Sequence, residues 1–186
     1  MRADSTPFTR RRAAAVLGCA VLAACGGAAD RPEVLPLWVA TDVAGADLDG
    51  DERADVLTLA MYADPSGVRT GHLLVYRQTS PGVFAAPVDY AIGRYPWRMA
   101  VGDVDGDDAP DVVVVDADAW STSLLRQDPS QRGRLLGPRE LVAGVKSHDV
   151  VLADLNGDGL ADVAVGDVRS RPGRVVVSYQ DSAAPG

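Results

Sequence analysis

Cysteine is almost missing from this 186-residue chain: there are two, Cys19 and Cys25, both within the first 25 residues. The rest of the sequence therefore has no disulfide to staple it. Histidine is equally scarce, with His72 and His148 alone. Neither accompanies a Ser or Cys nucleophile motif, and no GxSxG or HExxH occurs. Hydrolysis and acyl transfer lose their usual nucleophile, base and orienting group with those absences. A basic excess is missing too: the formal charge is −8, which removes the electrostatic footprint of a nucleic-acid binder. The apolar stretch at residues 13–24 is short of the roughly 20 residues that a membrane-spanning helix needs.

What the chain holds instead is aspartate in a fixed arrangement. Three loops read DLDGDERADV from Asp47, DVDGDDAPDV from Asp103 and DLNGDGLADV from Asp154. Each places oxygen side chains at loop positions 1, 3, 5 and 9. These are Asp47, Asp49, Asp51 and Asp55; Asp103, Asp105, Asp107 and Asp111; and Asp154, Asn156, Asp158 and Asp162. Carboxylates packed that closely repel one another unless something neutralises them. A hard cation taking six to eight oxygens fits, with position 7 adding the backbone carbonyl of Arg53, Ala109 or Leu160. The pattern predicts up to three structural calcium ions. Asp and Gly also favour plain turns, but three copies in register, each between apolar runs, point to metal.

Position 6 of the loop is Gly159 in the third copy but Glu52 and Asp108 in the first two, and the expected turn drives that residue to positive φ. An EF-hand is excluded, because position 12 is Thr58, Val114 or Val165 rather than a bidentate Glu. The sequence after each loop is β-branched, as in the valine run 112–115. The loops are therefore expected to close β-hairpins.

The amino terminus carries a second signal. Arg10, Arg11 and Arg12 precede the apolar stretch, and Leu22-Ala23-Ala24-Cys25-Gly26 follows. This resembles a bacterial lipoprotein signal peptide at residues 1–24, with an ordinary secretory signal as the alternative. The resemblance implies cleavage before Cys25 and a lipid on that residue, anchoring the chain to the membrane of the cell envelope, while Cys19 leaves with the signal. Thr9-Arg10-Arg11 leaves general and twin-arginine export both open. Gly26 in place of an aspartate is expected to direct the protein to the outer membrane or cell surface of a cell that has an outer membrane. Removing Arg2, Asp4, Arg10, Arg11 and Arg12 takes the charge from −8 to −11, and three Ca²⁺ would return it to −5. Much of the acidity thus reads as site chemistry.

Residues 25–36 form a lipidated Cys and Gly/Ala/Pro tether, and residues 37–182 form one repeat domain. Successive loops lie 103 − 47 = 56 and 154 − 103 = 51 residues apart, a period in the range of propeller blades. Strand signals fall at 38–43, 56–61, 72–78 and 84–90, then 97–102, 112–116, 123–127 and about 134–142, then 148–153, 163–166 and 174–180. The third unit lacks its fourth strand.

These loops and strands resemble the FG-GAP repeat family and its related VCBS type, known from integrin α-subunit propellers and bacterial surface proteins. The match is best at Asp154-Leu-Asn156-Gly-Asp158-Gly159-Leu-Ala-Asp162. The resemblance implies an all-β fold with propeller-type blades of four antiparallel strands, the loop joining the innermost strand of a blade to the second. Only about three blades are present, so an incomplete or open propeller is expected. Three resolutions stand: a second copy completes the ring, another chain does, or the sector stays open.

On the face away from the loops, counting back from each first Asp gives Thr41, Trp97 and His148, then Asp42, Arg98 and Asp149. The neighbouring connections add Tyr62, Arg69, Tyr95, Trp120, Arg169 and Arg171. Aromatics with arginines suit an interaction surface, and Trp97, Arg98, Trp120 and His148 are the candidate ligand-binding residues. Trp38 and Trp97 also read as packing residues between blades. The expected function is a non-catalytic, calcium-binding, envelope-anchored domain for adhesion, glycan binding or protein assembly. A calcium-dependent propeller-fold lyase or hydrolase is the alternative from another class.

Overall fold

A computed structural model of the chain describes residues 38–64 and 66–180, with residue 38 described by its backbone alone. The expected signal peptide, Cys25 and the tether lie outside the described residues, as does the Trp38 side chain.

The first unit holds β1 (Trp38–Ala46), β2 (Asp55–Ala63) and β3 (Arg69–Tyr76), a two-stranded ribbon of β4 (Gln78–Ser80) and β5 (Val83–Phe84), and β6 (Val88–Ala91). The second holds β7 (Pro96–Gly102), β8 (Asp111–Asp116) and β9 (Ser121–Leu125), a ribbon of β10 (Gln127–Asp128) and β11 (Gln131–Leu135), and β12 (Arg139–Ala143). The third holds β13 (Ser147–Ala153), β14 (Asp162–Asp167) and β15 (Arg174–Ser178). The main sheets run β1-β2-β3-β6, β7-β8-β9-β12 and β13-β14-β15, antiparallel throughout.

Among the described residues the fold is all-β and the third sheet has three strands, as the sequence pattern led one to expect. The fourth strands differ from expectation. Residues 84–90 and 134–142 each read as one strand, but in both units the chain first doubles back as a short ribbon and only then adds the outer strand. Pro81-Gly82 and Pro129-Ser130 supply those turns. In the second, the Ser130 N–H donates to Asp128 Oδ1 at 2.9 Å.

The three sheets stack side by side. The middle sheet is covered on both faces, and all six residues of β8 are buried. A strand with two buried faces reads as an unbroken apolar run, which accounts for Val112 to Val115. One face carries Val112, Val114 and Leu125 against Leu57, Leu59 and Leu73 of the first sheet. The other carries Val113, Val115 and Leu124 against Val150, Val163 and Val165 of the third. On β2 and β14 burial alternates, because each outer sheet has one covered face. Among the described residues the stack is open, with no closure into a ring.

The strands that lead into the aspartate loops, β1, β7 and β13, each stand at the edge of their sheet and lie next to one another along one side of the stack. Thr41 Oγ1 donates to the Pro96 carbonyl at 2.7 Å, and the Met99 N–H donates to Asp42 Oδ2 at 3.0 Å. All three strands carry a bulge at the same place, between Ala40 and Asp42, Pro96 and Arg98, and Ser147 and Val150. The inserted residues include Thr41, Trp97 and His148.

Candidate metal centres

Each loop is built on three backbone clasps made by its own side chains. At position 1, Asp47 Oδ1 accepts from the N–H groups of Gly50 at 2.7 Å and Asp51 at 3.1 Å, and Oδ2 from Glu52 at 2.8 Å. Asp103 repeats this with Gly106, Asp107 and Asp108, and Asp154 with Gly157 and Gly159. At position 5, Asp51, Asp107 and Asp158 each accept the N–H two residues on, at 2.9, 2.9 and 2.8 Å. Closing the loop this tightly forces position 6 to positive φ, 67° at Glu52, 61° at Asp108 and 91° at Gly159. The first two loops thus adopt the turn despite their Cβ atoms.

Position 9 ties the loop to the sheet. Asp55, Asp111 and Asp162 are fully buried. One oxygen of each accepts the position-2 N–H, from Leu48 at 3.2 Å, Val104 at 3.1 Å and Leu155 at 2.9 Å. The other accepts the N–H of a glutamine just past the third strand, Gln78 at 2.8 Å, Gln127 at 2.8 Å and Gln180 at 2.9 Å. These glutamines escape a reading of the sequence, because the interval between loop and glutamine differs from repeat to repeat. Gln127 goes further: its Nε2 donates 2.7 Å to the Leu48 carbonyl in the preceding unit's loop, and its Oε1 accepts the Gly133 N–H at 2.9 Å.

Position 3 is different. Asp49 and Asp105 each keep a buried Oδ1 with no hydrogen-bond partner. Their Oδ2 atoms face arginines just before the glutamines, Arg77 at 3.5 Å and Arg126 at 2.9 Å. Carboxylate oxygens of Asp47, Asp49 and Asp51 converge within 4.8 Å of one another, as do those of Asp103, Asp105 and Asp111. Burial and the neighbouring Asp51 and Asp55 raise Asp49 above the ordinary carboxylate range, and burial with Asp107 does the same to Asp105. Burial pushes Asp111 up to about 6. Asp47 moves the other way: burial works upward, but the N–H groups of Glu52, Gly50 and Asp51 outweigh it. The third loop, the best sequence match, is the more open one. There Asn156 replaces the position-3 aspartate and donates from Nδ2 to Asp158 Oδ2 at 2.8 Å, and Tyr179 stands where the other units have arginine. The position-7 residues take separate parts: Arg53 pairs with Asp51, Ala109 is buried, and Leu160 packs over Gly106 of the preceding loop.

A family model described as an FG-GAP-like repeat matches residues 47–114 and again 103–165, each match opening on the first aspartate of a loop. The chain belongs to the FG-GAP-like repeat family. Searches of curated proteins and of solved structures found no match. The shared unit of this FG-GAP-like chain thus runs from one loop into the second strand of the next sheet, across the packed interface between them.

At the opposite end of the FG-GAP-like units the candidate ligand-binding residues form two groups. Trp97 stacks on Tyr95, centroids 5.6 Å apart, and meets His148 at 5.7 Å. It is half-buried and so bridges the second and third units. Arg98 pairs with Asp42 of the first unit at 3.2 Å. Trp120, at φ 54° and 39 % exposed, lies apart under the Arg169 guanidinium, 4.0 Å from the ring centroid. Arg69 lies 5.3 Å over the Tyr95 ring and 3.6 Å from Asp118, beside a shallow cavity of about 300 Å³ that Arg94 also lines.

Two outcomes follow. Gln127→Ala strands the Leu48 carbonyl and the Gly133 N–H in the interior and is expected to cost about 1–3 kcal/mol in urea unfolding. Gln180→Ala should cost less, because the Gln180 Nε2 reaches only Ser178 O of its own strand. The Asp111 shift sets a pH dependence. A carboxyl raised from 3.8 to about 6 by folding contributes stability that is full below pH 3.8 and lost as pH rises through about 6. The metal-free protein should therefore melt lower at pH 7 than at pH 5, and Asp111→Asn should flatten that slope; a slope identical in the variant would refute the assignment.

Proposed function

We propose that this FG-GAP-like chain is a non-catalytic repeat domain that calcium stabilises and that a lipid on Cys25 holds at the bacterial envelope. The buried, unpartnered Oδ1 atoms of Asp49 and Asp105, each inside a ring of carboxylates, carry the metal part of this reading. An oxygen in that position costs about 1–3 kcal/mol without a partner, and a divalent cation supplies one while neutralising the raised carboxyls. Bound calcium supplies charge and coordination only.

The chain's own residues do the positioning. Positions 1, 5 and 9 are oriented by backbone N–H groups, and Arg77 and Arg126 turn the position-3 carboxylates so that one oxygen stays aimed at the ring. In the third loop Asp154, Asn156, Asp158 and Asp162 offer the same spacing with one charge fewer. Fixing the loops fixes the hinge between the first two strands of each sheet and the seam between neighbouring sheets.

The anchor rests on the Leu22-Ala23-Ala24-Cys25 pattern, and the tether after it sets the domain off the membrane. The end of the stack that carries Tyr95, Trp97 and His148 is the proposed ligand face. Its flat aromatic and imidazole rings suit the face of a sugar or a protein side chain. His72 is held between Asp89 at 2.8 Å and Thr70 at 3.2 Å, and His148 leans on Trp97.

Calorimetric titration with Ca²⁺, paired with melting in calcium and in chelator, tests the metal reading. Calcium at 100 times Kd is expected to stabilise the fold by about 2.7 kcal/mol for each ion bound, and Asp105→Asn should lower affinity of the second loop at least tenfold. An unchanged affinity in that variant would overturn the ligand assignment. For the anchor, intact mass spectrometry of protein extracted from membranes should show a chain that starts at an acylated Cys25; an unmodified Met1 terminus contradicts it.

A further inference from the structure

The two ends of the sheet stack are not merely exposed; they are the two halves of an interface that the chain already forms twice. Equivalent positions can be read off from each loop's first aspartate and from the strand register. The flank that the first sheet turns to the second includes Leu48 and Leu73, both 0 % exposed. Their counterparts on the second sheet, Val104 and Thr122, are 1 % and 0 % exposed under the third. On the third sheet the same two positions are Leu155 and Val175, 50 % and 67 % exposed, and no described residue covers them. Val151, 45 % exposed, joins them, where Ala44 and Ala100 pack into the two interior cores.

The complementary flank shows the same break at the other end. Met99 of the second sheet and Val150 of the third are 8 % and 1 % exposed where each meets the sheet before it. Their counterpart on the first sheet, Val43, is 61 % exposed. The polar contact across the seam has an unused copy as well. Gln127 Nε2 reaches back to the Leu48 carbonyl across the first seam, whereas Gln78 Nε2 turns to Ala54 O in its own loop at 2.9 Å and Gln180 Nε2 to Ser178 O.

We infer that the occupant of the third-sheet flank is the first sheet of a second copy of this chain, seated as the second sheet sits on the first. Val43 and Val56 of the incoming copy then cover Leu155 and Val175, and its Gln78 takes the Leu155 carbonyl as Gln127 takes that of Leu48. The contact is head-to-tail, so each copy uses both flanks and the assembly closes when the last flank meets the first. It extends the packing between repeats from within one chain to between chains. The inference stands on this repeat geometry, whether or not metal occupies the loops.

Sedimentation equilibrium of the full chain in density-matched detergent, with calcium and again with chelator, tests it. Self-association at micromolar concentration is expected. Leu155→Glu and Val43→Glu, both at exposed positions and checked for unchanged melting, should each weaken association at least tenfold. A mixture of the two variants should recover association, because one keeps its head flank and the other its tail. A wild-type monomer at 100 times the expected working concentration, a loss in only one of the two variants, or no recovery on mixing overturns the inference. If calcium leaves melting unchanged while association persists, the metal reading fails and the flank contact stands.

Discussion

Everything in this molecule that repeats depends on a buried carboxylate at the ninth loop position. Asp55, Asp111 and Asp162 each bring together a loop N–H and the N–H of a glutamine beyond the third strand. A fully buried carboxylate is costly unless its oxygens are engaged, and here both are. The bond ties three separate strands at one point, so neither the loop nor the third strand can shift register without exposing a charge to an apolar interior. The valine and leucine ladders then fall into place on either side of it.

Around that fixed point the loops divide their charge between two kinds of partner. Positions 1, 5 and 9 face backbone N–H groups, which preorganise them. Position 3 in the first two loops faces an arginine with one oxygen and the loop's other carboxylates, without a hydrogen-bond donor, with the other. The third loop drops both the carboxylate and the arginine together, with Asn156 and Tyr179 in their places. The local charge balance is therefore kept within each unit, by different means: an ion pair in two units and a neutral amide in the third.

The strand order, the hairpin role of the loops, the three strands of the third sheet among the described residues and the positive φ at Glu52 and Asp108 were all legible in the sequence. Each is a local consequence: β-branched runs, turn residues and loop length act within ten residues. The ribbons of β4 with β5 and β10 with β11 were not, because three of these four strands have only two or three residues and carry no period to read. Nor were Gln78, Gln127 and Gln180, or Arg77 and Arg126, whose partners lie about one or two strands away at unequal intervals. The sequence also favoured the third loop as the closest motif match, whereas convergence of carboxylates is greatest in the first two, where a neighbouring sheet buries them.

The bulge shared by β1, β7 and β13 separates two demands on a single strand. Upstream of the loops, one extra residue or more in each strand takes up the slack between a rigid ladder and whatever side chain stands at the end of the stack. Thr41, Trp97 and His148 differ in size and polarity, yet the ladder below them runs in the same register into the same loop. The bulge thus hands these side chains to the seams between units, where Thr41 reaches the Pro96 carbonyl and Trp97 meets His148, so one rim position joins neighbouring sheets by a hydrogen bond at one seam and by ring contact at the next.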